Sequence, residues 1–479
     1  MKTSTGKTSF KSIATTLLLV FSCFTLTASG YLSWLYHLMT FVPPATVDAL
    51  SMGVGYLFQA VGIGIAAFLL RYRPDAMSRA AFVVAIALNF ACAAPASLSD
   101  SLAGTLVFGY VMNLLCGVIS AFYLLRIVRC IGEERRGIVF GGGYACSIIV
   151  TYLLSLVPVP AVSGMPGELV SCAVLSLIAV GIVVATREEP LPAADALPQG
   201  EASTREGGPS PAVAPSSGAS GASGLIALAA ITVLLMSMVK NVGFSFPTAN
   251  LTTTGALELS RLFYAAGLIV AGVVVDRSRK YGSILCMSAL VTPFALMALS
   301  GEPISGMALW AVDYLFYGFF SVFRIVLFAD IAAHANRAYL SGLGLLLGRV
   351  GDALGTFVCL SLAGSTVMLV VVAVLLFVAC VFTFYLLFQQ LFMPTPAVQR
   401  SEHEIFDAFA VRYALSPRER EVARFALDGK TNAEIAATLF VTESTVKYHM
   451  RNALKKTGCK NRAELLALYA SKTPWENTE

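Results

Sequence analysis

The sequence predicts an all-α membrane protein: a bundle of twelve transmembrane helices in two halves of six, then a small four-helix soluble domain. Three observations predict it. The chain is 57% hydrophobic and only 13% charged, whereas soluble domains carry roughly 25% charged residues. Twelve apolar runs have the length of about 20 residues that a bilayer core of about 30 Å requires. The C-terminal stretch then turns polar and basic and carries four helix-start signals in close succession.

The apolar runs cover 14–38, 47–70, 79–98, 103–125, 137–159, 168–186, 225–249, 257–275, 282–300, 304–329, 339–362 and 365–391. The third is interrupted by Pro95 near its end. Loop charge orients them. With the N-terminus placed inside, alternate loops hold sixteen Lys and Arg, from Lys2, Lys7 and Lys11 through Arg71, Arg135, Arg187, Arg205 and Arg279 to Arg337. The outer loops hold at most Arg261, at a membrane edge. Such asymmetry marks cytoplasmic loops, so a multi-pass membrane protein with both termini cytoplasmic is expected. The start also has the form of a signal peptide. Its apolar run continues through Tyr31, Leu32, Trp34 and Leu35, which favours a retained helix over cleavage.

Residues 1–186 form the first half and 225–391 the second. Between them, 187–224 is rich in Pro, Gly, Ser and Ala without apolar periodicity, the composition of a flexible linker. After the last run, Pro394 and Pro396 stop the membrane helix. A connecting segment, 392–414, has a short amphipathic pattern in Ile405, Phe406 and Phe409.

The soluble unit, 415–471, divides into helices at about 417–428, 432–439, 443–457 and 461–470. Ser416-Pro417-Arg418-Glu419 and Thr431-Asn432-Ala433-Glu434 have the capping-box spacing, and Asn461 to Glu464 repeats it with Asn as cap. Thr442 caps the third helix. Gly429 and Gly458 follow helix ends, where a left-handed residue is wanted. Val422, Phe425, Ile435, Leu439, Val446, Met450 and Leu454 fall at helical spacing and close a small core. The tight connection Phe440-Val441-Thr442 joins the second and third helices as a helix-turn-helix.

On the third helix, Val446, Met450, Ala453 and Leu454 face inward, so Lys447, Tyr448 and Arg451 lie opposite. Lys and Arg can donate to guanine, and an aromatic edge can meet a thymine methyl. Ser444, Thr445, Lys455, Lys456 and Lys460 are placed to meet phosphates. From Leu415 to Lys472 there are eleven basic and six acidic residues, the sign expected for binding double-stranded DNA. A merely solvated basic face, or a protein-docking module, is the plainer alternative.

The segment from Leu415 to Leu465 closely resembles the LuxR-type helix-turn-helix domain of bacterial transcription regulators. The matching residues include Leu415, Pro417, Glu419, Val422, Gly429, Asn432, Glu434, Ile435, Val441, Thr445, Val446, Lys447, His449, Leu454, Lys456 and Arg462. The resemblance implies DNA binding as a homodimer, with the third helix in the major groove and the fourth near the dimer contact. It places Lys447, Tyr448 and Arg451 toward the bases. Tyr448 is bulkier than the residue usual there, so no operator sequence transfers.

Twelve spans divided six plus six resemble the major facilitator superfamily. The stretch from Gly272 through Asp276, Arg277, Ser278 and Arg279 to Lys280 is similar to that family's loop motif, one residue short and without the Gly expected after Arg277. Ionisable residues inside spans are costly and are usually functional or paired. Here they crowd the second half as Lys240, Asp313, Arg324, Arg349 and Asp352. In a facilitator-like fold, Lys240 and Asp313 would line a central cavity and contact a small-molecule ligand. The bland alternative is mutual neutralisation, with Arg349 and Asp352 pairing at i, i+3.

The four histidines form no metal spacing, the ten cysteines are scattered singly, and Gly6-Lys7-Thr8 lacks the rest of a P-loop. Gly141, Gly142 and Gly143 read as helix packing. No metal, cofactor or enzymatic constellation is implied. The expected function is a membrane-embedded transcription regulator, with the bilayer, DNA and an unidentified ligand as partners. The alternative is a facilitator-type secondary transporter with a regulatory DNA-binding or protein-docking tail.

Overall fold

The computed structural model describes residues 10–156, 167–185, 219–248, 254–299, 306–393 and 402–470. Lys2, Lys7, Arg187, Arg205, most of the expected linker, Pro394, Pro396 and Lys472 lie outside them. Among the described residues all regular structure is helical. The chain divides into a unit spanning Met1–Met393 and a unit spanning Pro394–Glu479.

In the first unit the helices are α1 (Phe10–Leu38), α2 (Pro44–Asp48), α3 (Tyr56–Tyr72), α4 (Arg79–Leu98), α5 (Leu102–Cys130), α6 (Arg136–Leu156), α7 (Gly167–Ala185), α8 (Ala219–Thr248), α9 (Thr254–Arg277), α10 (Arg279–Leu299), α11 (Gly306–His334), α12 (Leu343–Ser361) and α13 (Thr366–Phe392). A π-helical stretch, Ala49–Gly55, joins α2 to α3 in one continuous apolar element. The described residues of each expected apolar run lie mainly on these helices. Nine are long and apolar enough to cross a membrane among the described residues, so that criterion does not establish the expected twelve. Pro95 does not end α4: the helix runs three residues past it, because a proline near a helix end forfeits little hydrogen bonding.

The two sets of helices meet where α6 crosses α9 and α3 crosses α12. Backbones touch at the first crossing. A Cβ placed on Gly141 would lie 2.4 Å from the Leu268 carbonyl oxygen, and one on Gly272 2.7 Å from that of Gly137. The packing role expected for Gly141 is therefore present.

The motif-like stretch around Asp276 lies at one end of this crossing. The Asp276 carboxylate accepts from the Gly137 and Ile138 N–H groups, both at 2.7 Å. It thereby satisfies orphan donors at the start of α6. Arg279 donates to Asp276 (3.0 Å) and to Asp330 (2.8 Å). Arg136 donates to the other Asp330 oxygen at 2.7 Å.

The second unit contains α14 (Glu402–Arg412), α15 (Pro417–Leu427), α16 (Asn432–Leu439), α17 (Glu443–Thr457) and α18 (Arg462–Ala470). Its core joins Val422, Ala426, Ile435, Val446, Met450, Ala453 and Leu465. One expectation needs correction. Helix α14 is no mere connector: Phe406 and Phe409 are buried in this core, and both rings pack against Tyr469 of α18. Two aromatic rings at i, i+3 share one helix face and supply apolar area that a domain this small needs.

Candidate nucleic-acid interface and buried charge cluster

Local hydrogen bonds fix where each helix of the second unit starts. The Ser416 N–H donates to Glu419 Oε2 at 2.8 Å, and the Glu419 N–H returns to Ser416 Oγ at 3.4 Å. Thr431 and Glu434 form the second capping box. The Thr445 N–H donates to Thr442 Oγ1, and the Glu464 N–H to Asn461 Oδ1. Gly429 and Gly458 take the left-handed conformation, at φ +87° and +75°.

The turn between α16 and α17 lies at the expected connection, Phe440-Val441-Thr442, and its left-handed residue is Phe440. Phe440 closes α16 at φ +56°, its side chain 96% exposed. The Val441 N–H reaches back to the Ala436 carbonyl, the longer bond of a Schellman ending.

This frame aims α17. Val446, Met450 and Ala453 are buried, whereas Lys447, Tyr448 and Arg451 are exposed on the other side. Lys447 is held loosely by Glu443 at 3.6 Å, both side chains more than half exposed. Ser444 is exposed and Thr445 half-buried, and their hydroxyls lie 2.7 and 2.8 Å from that of Thr442. Lys455 and Lys460 are exposed.

Lys456 departs from the phosphate-facing expectation. Its ammonium donates to Glu419 Oε2 at 2.6 Å and to the Ala414 carbonyl at 2.9 Å. It ties the end of α17 to the start of α15, because its long stem lets the charge reach back over the core. Burial works against the charged form of Glu419, but Lys456 and the Ser416 N–H outweigh it and hold that carboxyl below its ordinary range. Arg420 donates to the Leu415 carbonyl and Arg462 to that of Ala426. Part of the unit's basic surplus therefore holds the fold.

In the membrane unit, Lys240 on α8 does not stand apart. Its Nζ lies 2.9 Å from Asp352 Oδ1 of α12. Arg349 approaches the same carboxylate at 3.9 Å and Arg324 of α11 at 4.0 Å. The i, i+3 pairing of Arg349 and Asp352 is present but longer than the Lys240 contact. Asn241 donates to the Asp352 carbonyl and to Thr356. Asp313, also on α11, is buried, but the carboxylate that meets Lys240 is Asp352. The part of Arg324 and of Tyr56, whose ring lies under Arg349 at 4.2 Å, was not legible. No local spacing links α3 or α11 to α12.

One chain thus holds two things: a basic helix-turn-helix, and a helical bundle of long apolar helices with a buried charge cluster. Comparison with known proteins agrees on both. The model of the bacterial regulatory proteins, luxR family, matches residues 413–469. Over 56 residues the chain is 43% identical to the spore germination protein GerE of Bacillus subtilis, covering 76% of that protein and 12% of this one. Through this domain the chain belongs to the luxR family. It is 43% identical over 58 residues to the regulatory protein SdiA of Escherichia coli, and 46% identical over 54 to the transcriptional activator AhyR of Aeromonas hydrophila. The match spans 12% and 11% of this chain and only 24% and 21% of those two. The second unit is a DNA-binding helix-turn-helix of transcription-regulator type.

The remainder is similar in fold to transporters of the major facilitator superfamily. The fucose:proton symporter of Escherichia coli superposes with a TM-score of 0.55 at 12% identity, over 80% of this chain and 99% of that one. The human organic anion transporter MFSD10 does so with a TM-score of 0.51 at 15% identity, over 80% and 98%.

Proposed function

We propose that this chain is a membrane-embedded transcription regulator whose facilitator-like bundle senses a signal and controls the DNA-binding unit. The observation that carries the reading is the covalent union of a helix-turn-helix, its basic face open on α17, with a membrane region holding a buried charge cluster. The loop charges support cytoplasmic termini, and the likeness to bacterial regulators supports a bacterial inner membrane. The DNA-bound state is a homodimer formed through the C-terminal unit. Ligand binding favours one arrangement of the two membrane halves, and the connecting segment 392–414 transmits it.

Lys447, Tyr448 and Arg451 face bases, while Ser444, Thr445, Lys455 and Lys460 face phosphates. In mobility shifts with residues 393–479, Lys447→Ala plus Arg451→Ala should weaken binding at the preferred site by about 2–4 kcal/mol, as two base contacts at about 1–3 kcal/mol each with partial coupling. Unchanged binding removes the assignment. Sensing is tested separately: if residues 393–479 alone regulate the target as the full chain does, under every growth condition that alters expression, control from the membrane is refuted.

The likeness to transporters favours a second reading, a secondary transporter with a regulatory tail. It requires substrate flux in proteoliposomes that Asp313→Asn abolishes.

A further inference from the structure

Among the described residues, the charges gathered at Asp352 do not balance. Lys240, Arg324 and Arg349 converge on Asp352 at 2.9, 4.0 and 3.9 Å. Among the described residues, Asp352 is the carboxylate that pairs with each of them. Three cations thus share that one carboxylate. An uncompensated charge in a low-dielectric interior is costly unless something neutralises it.

The hydrogen bonds are incomplete as well. Nε and Nη1 of Arg324 and Nε of Arg349 are buried and meet no acceptor, three open donors against one carboxylate oxygen without a hydrogen bond, Oδ1 of Asp352. The Arg324 side chain is only 9% exposed. Its guanidinium lies against a glycine of α12, where a Cβ on Gly348 would sit 2.0 Å from Nη1. Buried donors are nearly always satisfied in folded proteins. Unfilled donors on two cations around one carboxylate therefore call for an anionic acceptor.

Aromatic rings surround the cluster. Tyr317 and Phe320 carry the Lys240 ammonium at 4.9 and 5.9 Å, and Phe320 carries Arg324 at 5.0 Å. Tyr56 lies under Arg349, directly after the π-helical stretch Ala49–Gly55. Such π segments occur frequently at functional sites. Tyr56 comes from the first half and both arginines from the second, so the site closes only when the halves meet.

We propose that this cluster binds a small organic anion, a carboxylate carried on an aromatic body. The carboxylate takes the open guanidinium donors in a forked pair, and the body stacks among the rings. The proposal rests on the sensing reading, whose signal it assigns to a chemical class.

The test uses the full chain in lipid nanodiscs, titrated calorimetrically with benzoate, 1-naphthoate, benzamide and benzylamine. The two acids should bind saturably, and the amide and the amine roughly tenfold more weakly or not at all. R324Q and R349Q should each lower acid affinity by roughly tenfold. D352N removes the resident competitor and should raise affinity several-fold, which keeps the test open if an arginine variant does not fold. Equal affinity for acid and amide, no binding of either acid, retained affinity in both arginine variants, or weaker binding in D352N overturns the proposal. A transcription reporter read in parallel separates the two ideas. Acid binding without a change in transcription leaves the site and removes sensing. A reporter that answers another stimulus while no acid binds does the reverse.

Discussion

Lys456 Nζ lies 2.6 Å from Glu419 Oε2, joining the last turn of α17 to the first turn of α15. Each charge sits at the helix end that favours it, and Glu419 is buried while Lys456 is partly exposed. Lys456→Met should therefore destabilise the second unit by about 1–2 kcal/mol, below the cost of breaking a fully buried pair because water screens the lysine. DNA affinity should keep its salt dependence. Lys455→Ala should do the opposite, reducing the salt slope by about one with little effect on stability. Urea melts and binding titrations at several salt concentrations distinguish these outcomes. Reversed roles would return Lys456 to the phosphate-facing set.

The same carboxylate gives the unit an acid limb. Glu419 is held below its ordinary range despite burial, and Glu434 is held low by its bonds from Thr431. A carboxyl depressed by folding contributes fully above its unfolded value of about 4.3 and loses that contribution as pH falls through the folded value. Stability of residues 393–479 should thus be level near neutrality and decline below about pH 4. Glu419→Gln should flatten that decline while lowering stability at neutral pH. Parallel pH profiles for the two proteins would show that Glu419 is not a source of the acid limb.

What was legible followed the range of the interaction. Ser416 with Glu419 and Thr431 with Glu434 act across three residues, so the capping boxes could be read directly. The inward face of α17 followed from helical period alone. The tie made by Lys456 escapes such a reading because its partner lies 37 residues away. The burial of Phe406 and Phe409 escapes it too, because the ring they meet, Tyr469, is some sixty residues further on. In the membrane unit, composition located the helices, but periodicity is weak where lipid and core are both apolar. The partner of Lys240 therefore emerged only with the packing of α8 against α12.

Phe440 is a residue in the wrong conformation for its type. At φ +56° an L side chain is disfavoured by about 1–2 kcal/mol, and its ring is almost fully exposed. The family-type turn must be made there, and no glycine is present. Phe440→Gly should stabilise residues 393–479 by about 0.5–1 kcal/mol, the relieved strain exceeding the entropy a glycine adds to the unfolded chain. Phe440→Ala keeps the strain and should change little. Chemical denaturation reads both; a destabilised glycine variant would mean that the ring makes a contact worth more than the strain.

Asp330 receives Arg136 on one oxygen and Arg279 on the other, so one carboxylate bridges α6 and the start of α10. The two arginines differ in what remains without it. Arg279 keeps Asp276 and the Val275 carbonyl at 3.0 and 2.6 Å. Arg136 is buried, with a distant Glu133 at 3.8 Å and only backbone carbonyls besides. Asp330→Leu should therefore strand Arg136 and cost about 3 kcal/mol, the penalty for an uncompensated buried charge. Removing both charges in Arg136→Met plus Asp330→Leu should recover most of that loss, since an apolar pair needs no partner. Melting of the four proteins in detergent closes a double-mutant cycle with a coupling of about 2 kcal/mol. Additive losses would mean that Arg136 is held by its carbonyls and Asp330 serves Arg279 instead.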